Sequence, residues 1–178
     1  MPALAHFGLG FGCKQITQKI PVIFLLIASF LLDLITFVTM IWPNPSLWIS
    51  HGLFMSIVWS ILSGGITALG IFLYNKKLDK KRPAEQKIPV LYNSIIIGIL
   101  VFSHWVLDFI GWPMTAFDPS SNYKVPLFFS DSPAIGLGVY STKFGALFMD
   151  IGVFVVGLVF YIIWLVKAIK IRKTSKLS

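Results

Sequence analysis

Hydrophobic residues in this chain gather into long runs in which polar positions are rare. Four runs reach the ~20 apolar residues that a bilayer crossing takes. They are 20–42, broken only by Asp33; 47–74, which contains no Asp, Glu, Lys or Arg; 88–112, interrupted by His104 and Asp108; and 144–167, which carries Asp150 and ends on Lys167. Lipid offers no partner for a backbone N–H or C=O, so each run is predicted to be a helix that satisfies its own backbone. Ahead of them, the Gly-rich apolar stretch ALAHFGLGFGC precedes Lys14 and Lys19. It predicts a short helix over 3–18, either a fifth crossing or a half-helix packed among the others. The expected fold is an all-α membrane protein: one domain over 1–178, with four long transmembrane helices and a short N-terminal helix.

The charged residues give this bundle a direction. Only 12% of the chain is charged against 56% hydrophobic, about half the charge that covers a soluble surface. Six Lys/Arg fall in the loop 75–87 and five in the tail from Lys167. Under the positive-inside rule both face the cytoplasm, including the C-terminus over 168–178. The turn at 42–46 and the long connection 113–143, which has two acids and two lysines, then face outward. A connection of that length, rich in Pro, Gly and Ser, is expected to carry function or cover a site. The net charge of +8 is thus explained by topology, and no nucleic-acid partner is expected. The one cysteine, Cys13, excludes an internal disulfide and reads as a packing residue. No basic residue precedes the first apolar run, so no cleavable signal is read there.

Ionisable groups inside a membrane are unfavourable, by about 2.5 kcal/mol or more for an acid at a helix centre, and mark functional sites. At 1.5 Å per residue Asp33 lies about 20 Å above the cytoplasmic end of its helix, and His104 about 24 Å. Asp108 is one turn higher. His51 lies about 6 Å, and Asp150 about 10 Å, below the outer ends of their helices, and His6 is roughly 12 to 20 Å above Lys14 and Lys19. All of these residues therefore converge on the outer half of the membrane. His104 and Asp108, at i and i+4, share a helix face. Such a pair, with no thiolates nearby, offers ligands that Zn²⁺ accepts.

Two segments, Ser50-His51-Gly52-Leu53-Phe54-Met55-Ser56-Ile57-Val58-Trp59 and Ser103-His104-Trp105-Val106-Leu107-Asp108, resemble motifs of small bacterial inner-membrane proteins described as membrane-bound, metal-dependent hydrolases. Ala5-His6-Phe7-Gly8, the acid of Leu31-Leu32-Asp33-Leu34, and the loop Ser132-Pro133-Ala134-Ile135-Gly136-Leu137-Gly138 fit the same pattern in the same order. The resemblance implies a metal site made by His6, Asp33, His51, His104 and Asp108 on the outer side of a bacterial inner membrane. Other members often carry a Pro-Asp-x-Asp-His type cluster where Leu34, Ile35 and Thr36 follow a single acid here. That departure favours one metal ion over two.

The leading expectation is therefore a hydrolase using a divalent metal, most readily Zn²⁺, to activate water against a lipid-like ester or phosphoester, with membrane lipids as its surroundings. Asp33 is either a further ligand or the general base. Asp150 either orients a ligand histidine or makes an interhelical hydrogen bond, with Lys143 as a partner. The outer loop would close as a lid on flexible points at Gly136 and Gly138. Ser50 and Ser103 are discounted as nucleophiles, because adjacent helical residues point about 100° apart. Two rivals remain: a small ion or metabolite transporter, and a non-catalytic partner subunit whose polar cluster holds helices together.

Overall fold

The computed structural model describes residues 3–41, 47–78, 87–112, 127–129 and 132–174. Outside them fall the turn 42–46, most of the basic loop, the greater part of the outer connection and the last four residues of the tail. Regular structure among the described residues is helical: α1 (Ala3–Gly12), α2 (Val22–Ser29), α3 (Leu31–Thr39), α4 (Trp48–His51), α5 (Leu53–Leu78), α6 (Val90–Gly111) and α7 (Lys143–Thr174). By length and composition α5, α6 and α7 can each cross a membrane, and α2 with α3 makes a fourth crossing if the bent pair is one span.

The long run 20–42 departs from the straight helix its composition predicts. It breaks at Phe30 into α2 and α3, which meet at 56°. No Gly or Pro stands at the break. A side chain enters the backbone ladder instead: the Ser29 carbonyl, which in an unbroken helix would accept the Asp33 N–H, accepts Nδ1 of His104 at 2.8 Å. Insertion of this kind is a recognised source of sharp kinks. The run 47–74 is likewise divided, by Gly52 in extended conformation (φ −64°, ψ 141°), which turns the short α4 out of line with α5.

The N-terminal helix is shorter than the predicted 3–18. Ten residues at 1.5 Å each reach about 15 Å, half of a bilayer's ~30 Å hydrocarbon core. After α1 the chain tightens through the 3-10 turn Cys13–Gln15. Lys14, expected at a membrane surface, is buried: its ammonium donates to the carbonyls of Gln18 (2.8 Å) and Ile20 and lies 4.4 Å over the Trp164 ring. These contacts tie the turn down and return the chain into α2. The half-helix alternative is the one the fold adopts.

Helix α1 lies against α7 with backbones in direct contact. A Cβ placed on Gly157 would sit 2.8 Å from Gly8 Cα, and one on Gly8 would sit 2.6 Å from Phe154 Cα. Asp150 of α7 fastens the other end by accepting the Ala5 N–H at 2.8 Å. α5 and α6 pack closely through small residues too, a Cβ on Gly98 falling 3.0 Å from the Ser60 carbonyl. Large apolar side chains such as Ile61, Ile66, Phe148, Val156 and Ile163 are exposed along α5 and α7, as a lipid-facing surface requires. Under the polar cluster lies a packed floor of Leu25, Leu32, Leu100 and Val101, each 2% exposed or less.

Candidate metal centre

Four helices deliver five of the six residues that the depth argument singled out. His6 comes from α1, Asp33 from α3, His51 from the end of α4, and His104 with Asp108 from one face of α6. All five are buried, none more than 1% exposed. Asp150 does not join them. Its carboxylate is occupied by the Ala5 backbone N–H, so it neither touches a cluster histidine nor forms the bond to Lys143 considered from sequence. Its influence on the site runs through the backbone beside His6.

Hydrogen bonds on the outer side of each ring fix what faces inward. The Ser29 carbonyl can only accept, so His104 carries a hydrogen on Nδ1, and in the neutral ring its Nε2 is a lone pair. His51 Nδ1 lies 2.8 Å from Ser50 Oγ and 3.2 Å from Thr36 Oγ1. Those hydroxyls lie 2.7 Å from each other and also reach the Leu47 and Leu32 carbonyls; with both donating to the carbonyls, the hydrogen of His51 is on Nδ1. Both Nε2 atoms point at the carboxylates. The second contact revises the sequence reading of Ser50. Its hydroxyl does reach the neighbouring ring, because α4 ends there, but on the nitrogen turned away from the acids. Ser103 points elsewhere, donating to the Leu100 carbonyl.

Four inward atoms make a compact figure. His51 Nε2 lies 3.3 Å from Asp33 Oδ1, 3.2 Å from Asp108 Oδ2 and 3.3 Å from His104 Nε2. His104 Nε2 is in turn 3.3 Å from Asp108 Oδ2 and 3.7 Å from Asp33 Oδ1. A tetrahedral ion with bonds of about 2.0–2.1 Å holds its ligands about 3.3 Å apart. With the rings neutral and hydrogen on Nδ1, these nitrogens donate nothing to the carboxylates, and no other described residue gives a hydrogen bond to any of the four oxygens of Asp33 and Asp108. Two buried, undonated carboxylates are strongly unfavourable unless a positive charge sits among them. His6, His104 and Asp108 form one group with metal-ligand spacing, and Asp33, His51 and His104 form another.

His6 stands slightly apart. Its ring stacks on His104 at 3.6 Å between centroids, its Nε2 donates toward the His104 carbonyl at 3.3 Å, and it is 3.9 Å from Asp108 Oδ1. Its Nδ1 is buried without a partner among the described residues. Phe30, at the α2–α3 bend, meets both rings edge-on and stacks on Phe7 at 5.2 Å, walling this side with hydrocarbon.

One residue near the centre escaped the sequence reading. Tyr140 is buried in the 3-10 turn Val139–Ser141. Burial, then the charges of Asp150 and Asp108, push its phenol above the usual range. The turn docks on the C-terminal end of α6, with the Leu137 N–H on the Phe109 carbonyl (2.8 Å) and the Gly138 N–H on the Trp112 carbonyl (2.6 Å). Gly136 and Gly138, expected as hinge points, are docking positions instead. A Cβ on Gly136 would overlap Trp112, and Gly138 has φ 70°, which L side chains rarely adopt.

Comparison with protein-family models, with curated proteins and with solved structures finds no match to this chain. Among the described residues, fold and site by themselves define an all-helical protein with three helices long and apolar enough to cross a membrane and a buried His/Asp cluster that could hold a metal ion.

Proposed function

We propose that the protein is a membrane-embedded hydrolase that binds one divalent metal ion, Zn²⁺ by preference, through Asp33, His51, His104 and Asp108. The observation that carries this reading is the gathering of two imidazole nitrogens and two carboxylate oxygens, at nitrogen–oxygen and nitrogen–nitrogen separations of 3.2 to 3.7 Å, in a buried site where no described residue other than these histidines can neutralise the acids. Asp33, left open from sequence between ligand and base, takes the ligand's place. His6 becomes the proton acceptor, through its unpartnered Nδ1. Such an ion lowers the pKa of a coordinated water toward ~7 and supplies a nucleophile at neutral pH. Addition of that water to an ester or phosphoester breaks the bond to the leaving alcohol, which departs with a proton. A lipid-like substrate suits a centre within the outer leaflet, a position supported by the basic loop and tail, which favour a cytoplasmic C-terminus. Thr36, Ser50 and the Ser29 carbonyl keep the ligand rings in the tautomer that leaves Nε2 free.

Elemental analysis of protein purified without chelator tests the reading directly. One equivalent of zinc, lost together from His104→Ala and Asp108→Ala, is the expected result. A metal-free, fully folded wild type would leave two imidazolium–carboxylate pairs as the content of the cluster, and the hydrolase reading would fall with it.

A further inference from the structure

The opposite half of the molecule contains a second cavity. α2, α5 and α6 diverge there around a cleft of ≈ 620 Å³. Phe24, Ile27, Ala28, Ile66, Ile71 and Ile97 form its walls, with Lys19 and Tyr74 at one end. Phe24, Ile27 and Ile66 are well exposed, so the cleft opens sideways along its length. None of the five residues of the His/Asp cluster lines it. Apart from the Ser63 and Thr67 hydroxyls the walls offer water little to bond, whereas a hydrocarbon chain would find apolar contact along them.

The mouth is basic. Lys19 lines it, Lys76 and Lys77 occupy the last turn of α5, and Lys87 lies across from Lys19, whose ammonium donates to the Lys87 carbonyl. The Asn75 side chain both donates to the Ile88 carbonyl (2.8 Å) and accepts its N–H (3.1 Å), which holds this segment in place beside the end of α5.

We propose that this cleft seats an acyl chain of an anionic phospholipid whose phosphate rests against Lys19. The apolar walls take the chain, and the surrounding lysines select the headgroup. The assignment does not depend on the metal centre or on its chemistry.

Native mass spectrometry of the delipidated, full-length protein titrated with phosphatidylglycerol or phosphatidylcholine tests it. Phosphatidylglycerol should be retained more strongly. Lys19→Gln should erase about five-fold of that preference, the effect of one cation near an anionic headgroup. Gly70 lines the cleft and has open space where a Cβ would go, so Gly70→Leu fills the chain's place without a backbone clash. It should weaken phosphatidylglycerol binding ten-fold or more, since several methylenes lose their seat. Gly65, equally unobstructed but lining the groove on the other side of the α5–α6 pair, is the control, and Gly65→Leu should bind as wild type. Equal retention of the two lipids, or undiminished binding by Gly70→Leu, would overturn the proposal. So would displacement of the lipid by millimolar inorganic phosphate, which would reduce the site to a headgroup contact.

Discussion

Replacing Gly157 by Ala tests the α1–α7 contact at Gly8, about half a turn from His6. The added Cβ would fall 2.8 Å from Gly8 Cα and closer to the Gly8 carbonyl. Carbon atoms rest about 3.5–4.0 Å apart, so α1 must retreat by roughly 1 Å. Neither side can yield by turning a rotamer, because both surfaces are backbone. Overpacking of this kind typically destabilises by about 1–3 kcal/mol. His6 is two residues from Gly8 and would be displaced with α1. Its stacking on His104 and the Ala5–Asp150 bond would stretch accordingly. The four proposed ligands belong to α3, α4 and α6, so bound metal should persist. Thermal unfolding in detergent, read beside metal content, should give a midpoint several degrees lower with unchanged occupancy. Gly152→Ala on the same helix is the matched control. Nothing lies within 4 Å of its added Cβ, and a helical Gly→Ala change there should stabilise by about 0.5–1 kcal/mol. Equal unfolding midpoints for the two variants would refute the claim that backbone contact at Gly157 seats α1.

Other substitutions separate the roles assigned at the centre. His6→Ala should keep its metal and lose about 10²- to 10⁴-fold in turnover of a cleavable lipid ester; loss of the metal would make His6 a ligand. Asp150→Ala leaves the Ala5 N–H without its acceptor and should lower stability by about 1–3 kcal/mol, whereas Asp150→Asn, which keeps an acceptor oxygen, should recover most of it. For orientation, cysteines introduced in a Cys13→Ser background should be labelled from outside intact cells at Ser141 and not at Lys173. The opposite pattern would place the metal centre on the cytoplasmic side.

The convergence of His6, Asp33, His51, His104 and Asp108 was legible in the sequence because depth in a helix is simple arithmetic: 1.5 Å per residue from a charged end. Which atoms would face one another was not, since that depends on how helices bend. The α2–α3 break is invisible from composition, because Ser29–Phe30 lacks the Gly or Pro that ordinarily announces one; its cause, His104, lies 75 residues away. Asp150 makes the interhelical hydrogen bond that was one of its two readings, with Ala5 rather than Lys143 as its partner. Its helical position gave the right depth, but its partner is a main-chain N–H at the start of a helix, which no side-chain pattern encodes. Thr36 could have been found: it lies three residues after Asp33, on the same helical face. Tyr140 could not, because only the docking of its turn on the end of α6 brings the phenol near two acids.

The bend in the first crossing behaves as a wedge. One imidazole nitrogen occupies the carbonyl that the backbone would otherwise use to continue its spiral, while the other nitrogen of that ring faces Asp33 just past the break. Withdrawing the ring removes the wedge and returns the Ser29 carbonyl to the Asp33 amide, so α2 and α3 gain a route to a single straight rod. The shape of this crossing and the chemistry of the centre are thus two readouts of one side chain. A His104 variant should differ from wild type in the distance between probes at Phe24 and Val38 even when no metal is supplied to either.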